Sequence, residues 1–330
     1  MDVFHYPGLA LPSDRYAATI GFFDGVHLGH QYLLRQLKRE ATDHDLKSMA
    51  VTFDRHPREV VQTGWRAPLL SSPEEKVQLL SQTGIDVLVV LRFDETMAAL
   101  TARQFMGDVL RDRLHADVLL TGYDNRFGHD RKATFLDYQR YGRELGMEVV
   151  CADPLTVPSP PVGTGLNSTP LTGGGPEVGT PSSSLIRRLL ANGDVAHAAT
   201  CLGRYYSISG HVVHGDHNGH ALGFPTANLL CDDGQKLIPA TGGYAVMTTL
   251  ADGTRHRAMT YIGTRPTFHG QDVTIETNIF DETGDFYGQP LKIDFVARLR
   301  DEQPFLSQEA LAAQLAHDRE TATHLLQDLP

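Results

Sequence analysis

The chain has 330 residues, 41% of them hydrophobic and 21% charged, with a formal net charge of -11 at pH 7. That length predicts two domains, and the composition is ordinary for a soluble globular protein. The acidic balance argues against a nucleic-acid surface, which needs clustered Lys and Arg, but allows a nucleotide held by local donors.

Cys151, Cys201 and Cys231 stand apart, without a CxxC or a zinc-type spacing, and point to a reducing compartment. The first 16 residues lack a basic segment ahead of an apolar core, and no apolar run approaches the ~18 residues of a membrane span. A cytoplasmic protein with no membrane partner is expected.

Ala17 to Phe23 reads as a buried strand, and Tyr32, Leu33, Leu34 and Leu37 then recur at helical spacing. A strand is predicted at Met49–Phe53, and a helix at Glu74–Leu80 behind the Ser72-Pro73 cap. Asp86–Phe93 reads as a strand, Thr101–Leu114 as a helix and Asp117–Thr121 as a strand. Phe135–Leu145 reads as a helix and Met147–Ala152 as a fifth strand. Such alternation predicts a doubly wound parallel sheet, the fold class α/β, with ligands at the carboxyl ends of its strands.

Residues 158–181, PSPPVGTGLNSTPLTGGGPEVGTP, are half Gly and Pro with one charge, Glu177, and cannot bury a core. A capped helix follows in SSSLIRRLLANGD. From about residue 204 the runs YYSISGHVV, GYAVMTTL, HRAMTYIG, DVTIETNIF and LKIDFVARL alternate with Gly- or Asp-Gly-containing turns. They predict a closed antiparallel barrel or sandwich, ended by a helix at Gln308–Leu326. The expected domains are 1–195 and 196–330.

The stretch GFFDGVHLGH at 21–30 lies at the end of the first predicted strand. A helix start behind a Gly-rich turn offers free N–H donors and about +0.5 of a charge, which suits phosphate. His27 and His30 add side-chain donors. A tight turn with a capping histidine is the other reading of the same residues.

TIGFFDGVHLGH resembles the HxGH signature of nucleotidyltransferases in its prokaryotic FAD synthetase form. TFDRHP (52–57), LTGYDNRFGHDR (120–131) and PSSSLIRRLL (181–190) resemble further segments of that family, in order. GHALGFPTANL (219–229), YIGTRPTF (261–268), TIETNIFD (274–281) and ARLRDEQPF (297–305) resemble riboflavin kinase. By this ordered series the chain resembles the bifunctional riboflavin kinase/FMN adenylyltransferases. The resemblance implies a Rossmann-like nucleotidyltransferase domain, then a barrel kinase domain. The expected substrates are riboflavin, FMN and ATP, with Mg²⁺ as cofactor and no permanently bound redox cofactor.

Residue by residue, the resemblance implies ATP and phosphate contacts at Gly21, Phe23, Asp24, Gly25, His27, Gly29, His30, Ser182, Ser183, Ser184 and Arg187. In the kinase half it implies them at Gly219, Gly223, Pro225, Thr226 and Asn228. Flavin contacts are implied at Phe53, His56, Pro57, Asp124, Asn125, Arg126, Phe127 and Arg300. Thr226 and Asn228 carry the oxygens that a Mg²⁺–nucleotide prefers. FMN's phosphate is already an anionic nucleophile, so adenylyl transfer needs alignment and charge neutralisation by His27, His30 and Arg187. The ribityl hydroxyl is a weak nucleophile, so kinase chemistry benefits from a base, and Glu276 matches the family's catalytic Glu.

His220 stands where the pattern has Arg or Lys, Ser184 where it has Thr, and Tyr261 where Asn is common. The series His211, His214, His217, His220 would form a metal face on a helix, but Val212-Val213 and Gly215 speak for a strand entering a loop. Two other functions remain in view: a nucleotidyltransferase for another substrate, and a flavin carrier without activity. The sequence leaves the oligomeric state open.

Overall fold

The structure is a computed structural model. It describes residues 1–8, 11–62, 64–66, 68–122, 125–129, 131–155, 180–215, 223–267, 270–282 and 284–329, without the side chains of 265–267 and 270–272. Expectations for Asp124, Gly219, His217, His220 and nearly all of 158–181 fall outside these residues. The chain divides into two compact units, Met1–Ala67 with Ser71–Pro181, and Pro68–Leu70 with Ser182–Pro330. The sequence reading put the boundary at 195/196; the units part after Pro181.

The first unit contains β1 (Asp2–Tyr6), β2 (Tyr16–Ile20), α1 (Leu28–Asp43), β3 (Lys47–Phe53), α2 (Pro57–Val61), α3 (Pro73–Ser81) and β4 (Val87–Leu91). There follow α4 (Glu95–Ala98), α5 (Ala102–Gln104) running into a π-helical turn at Phe105–Arg111, β5 (Ala116–Thr121), α6 (Phe135–Leu145) and β6 (Glu148–Cys151). Their order is β1-β4-β3-β2-β5-β6, with every pair parallel. Five strands were expected; the sixth is β1, at the sheet edge.

Both faces of the sheet are buried, as a parallel sheet requires. Tyr16, Ala18 and Ile20 of β2 pack with Met49 and Val51 on one face. Ala17, Ala50 and Leu88 face the other, under Leu34 and Leu37 of α1 and Leu80 of α3. Leu34 and Leu37 are fully buried, each contributing about 1.5–3 kcal/mol.

Strand β2 stops at Ile20, three residues before its expected end, because the backbone turns sharply. Phe23 (φ 54°), Gly25 (φ 74°) and Val26 (φ 38°) are all left-handed. The chain leaves β2 toward β3 on one side and returns to β5 on the other, so β2 ends at the sheet's switch point.

The second unit contains α7 (Ser183–Ala191), α8 (Val195–Leu202), β7 (Tyr206–Val213), β8 (Ala227–Cys231), β9 (Gly242–Thr249), β10 (Arg255–Thr267), β11 (Gly270–Ile279), β12 (Pro290–Arg300) and the terminal helix α9 (Gln308–Leu326). The strands close an antiparallel barrel in the order β10-β11-β8-β7-β12-β9. β8, unforeseen in the sequence, carries the end of PTAN, and places Asn228 opposite Glu276 of β11. Tyr261 of β10 lies opposite Glu276 on its other side.

Pro68–Leu70 joins this unit by backbone pairing. Leu69 N–H donates to the Gln235 carbonyl at 2.7 Å, and its carbonyl accepts from Leu237 N–H at 2.8 Å. The buried Lys236 ammonium donates to the Leu70 carbonyl at 3.0 Å.

Candidate functional site

In the first unit the candidate site grows from the turn between β2 and α1. Phe23 and Val26 are non-glycine residues at positive φ, strain of about 1–3 kcal/mol each that persists where the surroundings enforce it. Here Ser71 does so: its hydroxyl accepts from Gly25 N–H at 3.0 Å, and its own N–H donates to the buried Asp24 carboxylate at 3.2 Å. Asp24 is thus engaged in holding the turn. A side chain at Gly29 would press on the His27 ring and the Pro181 carbonyl, each 3.1 Å from its Cβ.

His27 is the N-cap of α1, its Nδ1 accepting from His30 N–H at 3.4 Å. Its ring proton therefore sits on Nε2. The two imidazoles stack at 3.6 Å between centroids, and Phe23 meets His30 edge-on. Burial, then the neighbouring His27 and Lys76 charges, push the His30 pKa well below its ordinary value, so His30 is neutral at pH 7. Its buried Nδ1 has no hydrogen-bond partner among the described residues. A neutral imidazole at a helix start presents a donor to an anion without carrying charge.

Of the expected flavin contacts in the first unit, Asn125 and His56 touch the end of β2 or the residues just beyond it. Asn125 donates to the Ile20 carbonyl at the end of β2 at 2.8 Å. Phe127 stacks on Tyr138 at 4.3 Å, and Arg126 beside it is exposed. Phe53 ends β3 and meets Phe93 edge-on. His56 caps α2 ahead of Pro57, its ring against Phe22 (4.9 Å) and Trp65 (4.6 Å).

Ser182, Ser183, Ser184 and Arg187 lie in the second unit. The Ser182 hydroxyl caps α7, accepting from Leu185 N–H at 3.3 Å, and Arg187 Nε donates to the Pro68 carbonyl at 2.9 Å.

Two cavities of the barrel share Thr226 in their walls. One, of about 290 Å³, is lined by Phe224, Met259, Leu299, Phe305 and Leu311, with Tyr261, Glu276 and Arg300 among its polar groups. The other, of about 330 Å³, is lined by Pro225, Asn228, Phe286 and Tyr287. Thr226 Oγ1 donates to Glu276 Oε2 at 3.5 Å where the two adjoin. Asn278 fixes the turn before β8 by donating to the Pro225 carbonyl at 2.7 Å.

Arg300 is held by Asp318 of α9 at 2.7 Å, its guanidinium over the Tyr261 and Phe305 rings. Burial and the Tyr261–Glu302 hydrogen bond push the Tyr261 hydroxyl up to about 12. Gly223 (φ 80°) stands at the other end of GFP, beside Arg257 and Arg319. Of the histidine series, His211 lies on β7 and pairs with Asp232 at 2.6 Å, while His214 stacks on Tyr287. Among the described residues no three His, Cys, Asp or Glu side chains converge as a metal cage.

Sequence reasoning missed Ser71, Lys76, Asp318 and the register that brings Asn228 to Glu276. No local pattern marks them: each is a partner supplied by a distant segment.

A glycine-rich turn at the switch point of a parallel sheet, followed by a closed barrel with a carboxylate in one cavity wall, suits a two-domain transferase of nucleotide substrates. The comparisons with known proteins give that class its members. A family described as FAD synthetase matches residues 12–164, and one described as riboflavin kinase matches 202–326. A bifunctional riboflavin kinase/FMN adenylyltransferase of Escherichia coli (strain K12) is 34% identical over 94% of this chain and 93% of its own. Its namesake in Bacillus subtilis (strain 168) is 32% identical over 94% and 92%. The chain belongs to the family of bifunctional riboflavin kinase/FMN adenylyltransferases, enzymes of flavin cofactor biosynthesis.

A crystal structure described as a macrolide-efflux protein from Streptococcus pneumoniae is 30% identical, with a TM-score of 0.82 over 97% of this chain and 98% of that one. That likeness concerns the fold. Among the described residues no helix is long and apolar enough to cross a membrane.

Proposed function

We propose that the two units perform the two transfers of the pathway on separate sites, the barrel making FMN from riboflavin and ATP and the parallel-sheet unit making FAD from FMN and ATP. The observation that carries the kinase assignment is the Thr226–Glu276 hydrogen bond at the junction of the two cavities. The 290 Å³ cavity, apolar on most of its wall, suits the flavin ring and lies at the small end of the ~300–1,000 Å³ of ligand sites. The cavity beyond Thr226, where Asn228 stands, then takes the nucleotide.

In this reading Glu276 accepts the ribityl proton as the oxygen attacks the terminal phosphoryl group. Thr226 and Asn228 offer hard oxygen donors, with no surrounding cage of carboxylates or histidines among the described residues. That fits a Mg²⁺ bound chiefly by phosphates, as small divalent ions prefer. The metal supplies neutralisation of charge on the phosphates. Arg300, braced by Asp318, closes the flavin cavity with its guanidinium plane.

In the first unit, neutral His30 and Nε2-protonated His27 donate to the nucleotide phosphates at the start of α1. The FMN phosphate needs no base; the unit aligns it for in-line attack, with Phe53, His56, Asn125, Arg126 and Phe127 as flavin contacts. Arg187 and the serines of α7 are assigned to the phosphates by family resemblance alone. The reactions belong to the cytoplasm, where three isolated thiols stay reduced. Purified protein incubated with riboflavin, ATP and Mg²⁺ should yield FMN and then FAD on separation of the flavins. Absence of both overturns the reading.

A further inference from the structure

Lys76 is a buried cation that the transfers described above do not use. It sits in the first turn of α3, whose start is fixed by the Ser72–Glu75 capping box. Its ammonium donates to the Phe53 carbonyl, the last of β3, at 3.1 Å. It also lies 4.3 Å from the centroid of the Phe22 ring, just beyond β2. Both points are carboxyl ends of adjacent strands at the switch point.

Buried lysines are rare because desolvation disfavours the charged form, and one is retained where other charges face it. The charges of Asp24 in the strained turn and Asp54 after β3 favour its charged form, and its own charge acts on His30 of α1. Asp54 is itself fixed by accepting from Phe93 N–H at 2.9 Å. Without the ammonium, two carboxylates would stand beside the cradle where a polyphosphate must enter.

We propose that Lys76 is a positioning residue of adenylyl transfer, the buried cation that ties the ends of β2 and β3 together beneath the triphosphate and offsets Asp24 and Asp54 there. The proposal rests on the reading that the His27–His30 cradle makes FAD. Burial is the main reason His30 stays neutral, and the ammonium's charge acts in the same direction, so His30 presents N–H and lone pair instead of two donors.

The chemistry has a pH signature. Burial lowers the Lys76 pKa to about 8, with Asp24 and Asp54 acting against that shift. Phosphate esters complete their ionisation near pH ~6, so a change above pH 8 belongs to the protein. With FMN supplied, kcat/KM for ATP should fall above pH 8 and level off about tenfold lower, the cost of losing the charge. Riboflavin phosphorylation by the same sample supplies the control, since its cavities contain no such lysine.

Lys76→Arg keeps the charge and cannot titrate in this range, so its adenylyl transfer should stay flat to pH 10. Lys76→Met should raise KM for ATP about tenfold at pH 7, the scale of one lost charged contact. In that variant the His30 NMR titration should move up while burial still holds it below the ordinary histidine range, whereas in Lys76→Arg it should stay with the parent. A parent profile flat to pH 10, or a Lys76→Arg profile that falls like the parent's, overturns the proposal. Should Lys76→Met fail to fold, those two profiles still decide. If His27→Ala with His30→Ala continues to make FAD, the site reading itself has failed. If that double variant is silent while the Lys76 variants follow the parent at every pH, only the role of Lys76 has failed.

Discussion

Replacing Glu276 by Gln separates its chemistry from its place in the barrel. The Thr226 hydroxyl donates to the carboxylate at 3.5 Å, a long hydrogen bond that a Gln amide oxygen can still accept, and Gln keeps the shape of the side chain. The folded state should therefore lose less than about 1 kcal/mol, a shift of no more than about 4 °C in Tm for a domain of this size. Loss of a general base costs about 10²–10⁴ in rate, or ~2.7–5.4 kcal/mol at 1.36 kcal/mol per decade. Phosphoryl transfer passes through a loose transition state that asks little of its base, which places the expected loss near 10². The assay follows FMN from riboflavin and, in the same preparation, FAD from supplied FMN. Kinase kcat should drop by about two decades with riboflavin KM nearly unchanged and adenylyl transfer intact. Kinase turnover within threefold of the parent would refute the base assignment; equal loss of both activities would refute its confinement to the barrel.

His27→Ala with His30→Ala should abolish FAD formation and leave riboflavin phosphorylation near the parental rate, and FAD formation at that rate would refute the cradle. A fragment of residues 182–330 should fold and phosphorylate riboflavin, because α7 and α8 bury Ile186, Leu190, Val195 and Leu202 within the second unit. A fragment beginning at 204 loses those helices and should lack a cooperative thermal transition; a transition matching that of 182–330 would show the helices dispensable. His30, with its folded pKa depressed, stays neutral while the unfolded chain takes a proton as pH drops through ~6.5. Stability should then fall by up to ~1.4 kcal/mol per pH unit on acidification below 6.5, and less steeply in His30→Gln. Urea midpoints between pH 7 and 5 check this, and identical slopes would refute it.

Much of the architecture was legible because it rests on periodicity. α6 and α9 fall on their expected residues, and the π-helical turn lies inside the predicted helix at 101–114. What escaped notice depends on pairing across the chain. β1, DVFHY, is a short, mixed edge strand that becomes a strand only beside β4. β8 looks like a turn at PTAN, and its strand character comes from β7 and β11. α8 follows an Asn-Gly that also reads as a stop, yet Asp194 behind it accepts from His197 N–H and starts a new helix. The candidate sites were legible as motifs, since glycines and histidines at a helix start carry their own chemistry. Their supports were not: Ser71 braces a turn 46 residues away, and Asp318 holds an Arg 18 residues before it.

The pairing of Pro68–Leu70 with Gln235–Leu237 bears on how the chain is made. The Leu70 carbonyl and the Lys236 ammonium are separated by 166 residues. At a synthesis rate of ~5–20 residues per second, the partner emerges from the ribosome roughly 10–30 s after the first segment. In that interval the first six strands can already form their sheet, while Leu69 and Leu70 have yet to find their buried places. Residues 68–70 therefore gain their pairing partners only late in translation, long after their own synthesis. Their docking marks the moment at which the second unit is complete enough to recruit residues from the first part of the chain.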